Sequence, residues 1–165
     1  GRPLEVAAER EPGDSVPAYP VRPGSMPVVT STDVESGLRA DALRVIDARD
    51  AKRFSGEVEP IDLRAGHVPG AQNWPFTRNL DADGRFLPSQ ALRERFNEWL
   101  GDPKPPRLAS MCGSGVTACH TLFALEYAGV TAELPSYPAL YVGSWSEWIV
   151  DPSRPVASGI SDNPT

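Results

Sequence analysis

Cysteine is scarce in this chain, with two residues among 165. Two thiols cannot build a disulfide framework, so the fold must rest on an apolar core. Long apolar runs are missing too, and no stretch approaches the length of a membrane span. There is no basic excess: the formal net charge is −6, which argues against nucleic acid as the main partner. That total leaves a small anionic substrate open, because local charge steers a ligand. No signal-peptide pattern opens the chain, and there is no initiator methionine. The start at Gly1 reads as a fragment, a processed chain or a trimmed one. A reducing, cytoplasmic setting fits its two thiols.

What is present fits one domain with a proper core: 165 residues, of which 40% are hydrophobic. The first 27 residues hold six of the 18 prolines and few large apolar residues. They read as an extended linker. Residues 28–155 read as the folded unit and 156–165 as a polar tail.

Within that unit, short apolar stretches alternate with helical patterns. Val28-Val29, Leu43 to Ala48, Ala71 to Trp74, Leu108 to Cys112 and Ala139 to Val142 read as strands. Thr32-Asp33-Val34-Glu35 fits a capping box and predicts a helix to about Arg39. Asp50 to Phe54 predicts a short helical turn, and Ser89 caps a helix from Gln90 to Leu100. Thr117 to Tyr127 predicts a helix ended by Gly129, and Trp145 to Ile149 a short one. Strands alternating with helices imply an α/β fold with about five mainly parallel strands and helices on both faces. In such sheets, sites lie at the carboxyl ends of strands.

The chemistry concentrates in Cys112-Gly113-Ser114-Gly115-Val116-Thr117. A buried strand leads in and a helix leads out. Gly113 and Gly115 allow a tight loop whose N–H groups converge into an anion nest. The helix N-terminus adds free N–H groups and a positive dipole end. A thiol in such a place ionises more easily, and the thiolate is the nucleophile. Cys112 is therefore the expected catalytic residue. Cys119, further along the helix, is expected to be a small buried hydrophobe. His120 is expected to be a packing or surface residue. Asn79 to Gly84 looks like half of a calcium loop, but Asn79 and Gln90 stand where acids are needed, so no metal is expected.

The loop around Cys112 resembles that of rhodanese-type sulfurtransferases, in the form of the subgroup using 3-mercaptopyruvate. The thiosulfate-using relatives carry basic residues where this chain has Gly113 and Ser114. Val45-Ile46-Asp47-Ala48-Arg49 and Gly66-His67-Val68-Pro69-Gly70-Ala71 resemble the family's first signature. Gly143-Ser144-Trp145-Ser146-Glu147-Trp148 resembles its C-terminal signature in two-domain members. The resemblance implies a rhodanese-like fold and needs no cofactor. It also implies an N-terminal rhodanese-like domain before Gly1, with the proline-rich stretch as connector.

The resemblance further implies that Cys112 takes a sulfane sulfur from a small anionic donor, 3-mercaptopyruvate or thiosulfate. It then passes the sulfur to cyanide or a thiol such as thioredoxin. Ser114 matches a member of a proton-relay triad whose aspartate and histidine lie in the first domain. Arg53 matches an arginine that contacts substrate, and Arg64 is the expected second. Arginine suits a 2-oxo acid because its planar fork matches a carboxylate. Gly113, Gly115, Val116 and Thr117 are expected to hold the charged sulfur through the loop. Asp47 either orients the loop or Arg49 through a charged hydrogen bond, or forms a purely structural ion pair. His67 is expected to satisfy backbone groups in a tight turn, in a supporting role. A phosphatase reading is weak, since position 118 is alanine and no arginine follows Cys112 within the loop. A non-catalytic or sulfur-carrier module is the remaining alternative.

Overall fold

The computed structural model of the protein describes residues 26–159. Most of the proline-rich stretch, residues 1–25, and the last six residues lie outside the described residues. Five strands form one sheet: β1 (Val28–Val29), β2 (Arg44–Asp47), β3 (Gln72–Asn73), β4 (Leu108–Met111) and β5 (Ala139–Tyr141). Their spatial order is β1-β5-β4-β2-β3, and every pair is parallel. The expected strand count and class are both met. The register sets the site: Asp47 lies opposite Met111, so the residues leaving β2 and β4 emerge side by side.

Side chains alternate across the pleat, so the central strands β2 and β4 feed two cores. Val45, Ala109, Met111 and Tyr141 join one core with Trp145 and Trp148, beneath α1 (Ser31–Arg39) and α5 (Ser144–Trp148). Ile46 and Leu108 face the other core, where α3 (Ser89–Leu100) and α4 (Val116–Tyr127) supply Leu92, Phe96, Leu122 and Leu125. Helices thus cover both faces, as a parallel sheet requires. The remaining helix, α2 (Ala51–Ser55), follows β2 at the carboxyl end. Among the described residues, no helix is long and apolar enough to cross a membrane.

Three local expectations are corrected. The capping box belongs to Thr30 and Asp33: the Thr30 hydroxyl accepts from the Asp33 N–H, and the Asp33 carboxylate accepts from the Thr30 N–H. β1 ends at Val29, so the chain turns into the helix two residues sooner than Thr32 implies. Ser89 is the first residue of α3; Pro88 occupies the cap position, and no side chain caps it. Cys119 is exposed, because α4 turns Ala118, Leu122 and Leu125 inward and carries position 119 outward.

The connection after Gly129 winds into a short 3-10 turn over Val130–Glu133. Val130 is buried, and Glu133 pairs with Arg93 and accepts from the Asn97 amide at 3.1 Å. These residues staple the connection to α3. They lead into β5 at its amino end, away from the carboxyl ends.

The chain also stays attached beyond Pro155. His67 and Ala157 exchange two backbone hydrogen bonds, and the Gly159 N–H donates to the Ser55 carbonyl at 2.7 Å. Gly66 makes this strap possible. Its φ is +115°, and a Cβ there would sit 2.3 Å from the Ala157 carbonyl oxygen. Gly66→Ala is expected to cost about 3 kcal/mol, a melting-temperature fall of about 10 °C. Thermal unfolding beside Gly84→Ala is the check. Gly84 has φ +76° but no atom within 4 Å of its added Cβ, so that variant should lose only about 1 kcal/mol.

Candidate active site

β4 carries the chain from Leu108 to Met111 with all four residues buried, and Cys112 follows at its carboxyl end. The Cys112 residue is only 2% exposed. Its backbone is clamped on both sides. The Cys112 N–H donates to Ser144 Oγ at 3.1 Å, and the Cys112 carbonyl accepts from the Trp145 N–H at 3.0 Å. The Gly113 carbonyl accepts from the Ser146 N–H at 3.0 Å. The C-terminal motif therefore grips the first two loop residues by their main chain.

The Gly115 N–H donates to Cys112 Sγ at 3.1 Å. Among the described residues it is the one N–H of the expected nest within hydrogen-bonding reach of the sulfur. Gly115 has φ +88°, and a Cβ there would meet the Val142 carbonyl oxygen at 3.0 Å. Gly113 does not share that conformation. An added Cβ at 113 would lie 3.5 Å from Arg53 Nη1, an ordinary contact. α4 begins immediately at Val116, so its free N–H groups open toward the loop.

Beside the thiol lies an open cavity of about 320 Å³. Cys112, Gly113, Ser114, Val116 and Thr117 line one side. Arg49, Asp50, Arg53 and Phe76 line the other. Of the residues expected at the site, these five loop positions and Arg53 come together. Gly115 lies behind the sulfur as its donor. Arg64 does not line the cavity; its carbonyl accepts from Trp145 Nε1 at 2.9 Å, and its Nη1 is buried without a partner.

Arg49, on the cavity wall, forms a buried pair with Asp47 behind it. The Arg49 Nε and Nη2 both reach the Asp47 carboxylate, at 3.0 and 2.7 Å. Nη2 also donates to the Gly66 carbonyl at 2.8 Å, and the guanidinium lies 4.6 Å from the Trp145 ring centroid. His67 sits further back. Its Nδ1 is 2.9 Å from the Phe54 carbonyl, and its ring stacks on Phe54 at 3.8 Å. Burial holds the His67 imidazole below its usual pKa, despite that hydrogen bond and the Asp47 charge. It thus supports α2 from behind.

Arg53 points into the site but is not free. Its Nε and Nη2 make a fork on Glu59, with the closest contact 2.7 Å, and Nη2 also reaches Asp62 at 3.1 Å. Nη1 is left turned toward Gly113. Burial pushes the Glu59 carboxyl up, but the Arg53 hydrogen bonds and the N–H groups of Asp62 and Ile61 outweigh it. Together they hold the group below the usual carboxylate range.

Two residues at the site escaped the sequence reading as functional. Ser144 has φ +53°, uncommon for a residue with a side chain, and is fully buried. Its Oγ donates to the Tyr141 carbonyl and accepts from the Cys112 N–H, which fixes the unusual turn. The Gly143-Ser144-Trp145 motif was the available signal. Phe76 follows Pro75 in a short 3-10 turn over Phe76–Asn79, for which no periodicity exists.

A family model described as a rhodanese-like domain matches residues 30–151. The chain belongs to the rhodanese-like domain family. Curated relatives agree. A probable 3-mercaptopyruvate sulfurtransferase of Pseudomonas aeruginosa is 49% identical over 148 residues, covering 90% of this chain and 49% of that protein. The 3-mercaptopyruvate sulfurtransferase of Rattus norvegicus is 37% identical over 136 residues, covering 80% of this chain and 44% of its own. Among solved structures, the Tum1 protein from Saccharomyces cerevisiae superposes with a TM-score of 0.66 at 31% identity, covering 82% of this rhodanese-like chain and 47% of that one. The chain spans about half the length of the curated relatives it matches.

Proposed function

We propose that this rhodanese-like domain is the nucleophile-bearing part of a sulfurtransferase. The observation that carries the reading is the Cys112 sulfur, placed at a strand's carboxyl end beside an open cavity, with the Gly115 N–H on it and α4 starting beyond. In the proposed first step the Cys112 thiolate attacks the thiol sulfur of 3-mercaptopyruvate. An S–S bond forms and the donor's C–S bond breaks. Its electron pair leaves as the pyruvate enolate, which takes the proton from the transferred sulfur. Cys112 then holds a persulfide whose outer sulfur carries the charge, stabilised by the loop N–H groups of residues 113–117. An acceptor thiolate, as on thioredoxin, or cyanide takes the outer sulfur and returns the Cys112 thiolate.

Arg53 meets the donor carboxylate through Nη1, the edge its acidic partners leave open. Ser114 and Thr117 supply hydroxyls at the cavity wall. Arg64 enters the proposal only through the carbonyl that holds Trp145. The absence of a basic residue after Cys112, and the name of the 49%-identical relative, favour mercaptopyruvate over thiosulfate. Their doubled length favours a partner N-terminal rhodanese-like domain that closes over the cavity and completes a proton relay with Ser114. Residues 28–155 form the catalytic unit in this reading. A reducing compartment such as the cytoplasm suits its catalytic thiol.

The test is to expose the chain to mercaptopyruvate and thiosulfate in parallel and locate any gained sulfur atom by peptide mass spectrometry. The expected result is one added sulfur on Cys112, favouring mercaptopyruvate, and discharged by reduced thioredoxin. A folded chain, supplied with the first domain, whose Cys112 gains no sulfur from either donor would overturn the proposal. Charging without discharge would point to the sulfur-carrier alternative.

A further inference from the structure

Behind the arginines that line the cavity beside Cys112 stands a cluster of acids. Asp47, Glu59 and Asp62 stand against Arg49 and Arg53, three carboxylates to two guanidiniums. All five are well shielded, with Asp62 9% exposed, Glu59 4% and Arg53 18%. Screening by water and salt is therefore weak here. Asp50, on the cavity wall, adds a further negative charge.

The three carboxylates are not equivalent. Asp47 is taken up by Arg49. Glu59 fills the Arg53 fork, lies 3.5 Å from Arg49 Nη1, and accepts the N–H groups of Ile61 and Asp62. Asp62 is the surplus acid. Its Oδ2 shares an already used Arg53 nitrogen, and its Oδ1 accepts from the neutral Ser146 Oγ at 2.8 Å. Both neighbours touch the residue after the nucleophile: the Ser146 N–H donates to the Gly113 carbonyl, and Arg53 Nη1 faces Gly113. An uncompensated charge is thereby held against the Cys112 loop.

We propose that Asp62 is a specificity-determining residue, biasing the Cys112 site toward singly charged sulfur donors and against dianions. This rests on the sulfurtransferase reading only for the word donor. A 2-oxo thiol with a neutral S–H brings one negative charge, and thiosulfate brings two. The second charge meets guanidiniums already engaged by Asp47, Glu59 and Asp62, with the Asp62 carboxylate close behind Arg53. Asp62 also draws on Arg53, so it weakens that cation for every anion but penalises a dianion most.

The test compares Asp62→Asn with the native chain, and with Glu57→Gln as a control for removing a nearby exposed acid that pairs with Lys52. In steady-state transfer, Asp62→Asn is expected to lower the thiosulfate KM about tenfold and the mercaptopyruvate KM about threefold, since the effect of one removed charge scales with the ligand's charge, here roughly a factor of three per unit. The expected kcat stays within about twofold, a split that a merely structural role would not produce. Equal shifts for the two donors, or the same shift in Glu57→Gln, would overturn the assignment. A second arm needs no turnover: protection of Cys112 from iodoacetamide by sulfate, a dianion, and by pyruvate, a monoanion. Asp62→Asn should strengthen sulfate protection about tenfold and pyruvate protection about threefold. If that contrast appears while neither donor transfers sulfur, the anion selection stands and the sulfurtransferase reading fails. If transfer occurs but the contrast is missing, only the Asp62 assignment falls.

Discussion

Cys112→Ser is expected to abolish sulfur transfer, by about a thousandfold or more, and to leave melting behaviour almost unchanged. The fold does not depend on the sulfur. The Cys112 main chain supplies the contacts that matter to packing, its N–H to Ser144 and its carbonyl to Trp145. A serine oxygen still accepts the Gly115 N–H that now reaches Sγ. The chemistry does depend on it. A hydroxyl at neutral pH is a poor nucleophile with no adjacent base, and its oxygen cannot store a sulfane sulfur as a persulfide. The measurement is donor-dependent sulfur transfer together with peptide mass analysis of residue 112. Cys119→Ser is the companion, because Cys119 is exposed and available to reagents. It should transfer sulfur as the native chain does. Turnover that survives in Cys112→Ser and disappears in Cys119→Ser would move the nucleophile to α4 and sink the proposed site.

The place of Cys112 was legible because three local signals coincide in sequence: an apolar strand, a glycine-containing loop and a helix start. The fold class followed for a similar reason, since alternating short elements leave a parallel sheet as the economical arrangement. What stayed hidden depends on chain segments that carry no periodicity. Residues 57–65 decide what Arg53 does, and only their folded path brings Glu59 and Asp62 onto its guanidinium. Reading arginine beside a thiol as a free carboxylate fork was reasonable; the structure fills most of that fork with the protein's own acids. Ser144 was invisible as a turn residue because positive φ is expected of glycine, and here two hydrogen bonds hold a serine there. Cys119 shows the limit of composition: cysteine is usually buried, but a shift of one position around α4 reverses that. Ala157 was assigned to a tail because nothing local marks it as paired, and its partner His67 lies far away in sequence.

Arg49→Met is expected to be the most destabilising of the single substitutions considered, at about 3–5 kcal/mol, because it strands buried carboxylates. The Arg49 side chain is 1% exposed, and Asp47 beneath it is fully buried. Three contacts join Arg49 Nε and Nη2 to the Asp47 carboxylate, and a fourth hydrogen bond ties Nη2 to Gly66. The guanidinium also covers the Trp145 ring and lies 3.5 Å from Glu59. Methionine fills much of the volume but supplies no cation. Among the described residues Asp47 would keep only the residue 49 main-chain N–H as donor, and Glu59 would keep Arg53 and the N–H groups of Ile61 and Asp62. The cost should therefore come from charge rather than from packing. The double variant Arg49→Met with Asp47→Asn tests that: a neutral amide still accepts the residue 49 N–H, and about half the loss should return. Denaturant unfolding of the native chain and the two variants is the measurement. A double variant no more stable than Arg49→Met alone would mean that Arg49 acts through Gly66 and Trp145, bracing the wall of the Cys112 cavity by contact and not by pairing.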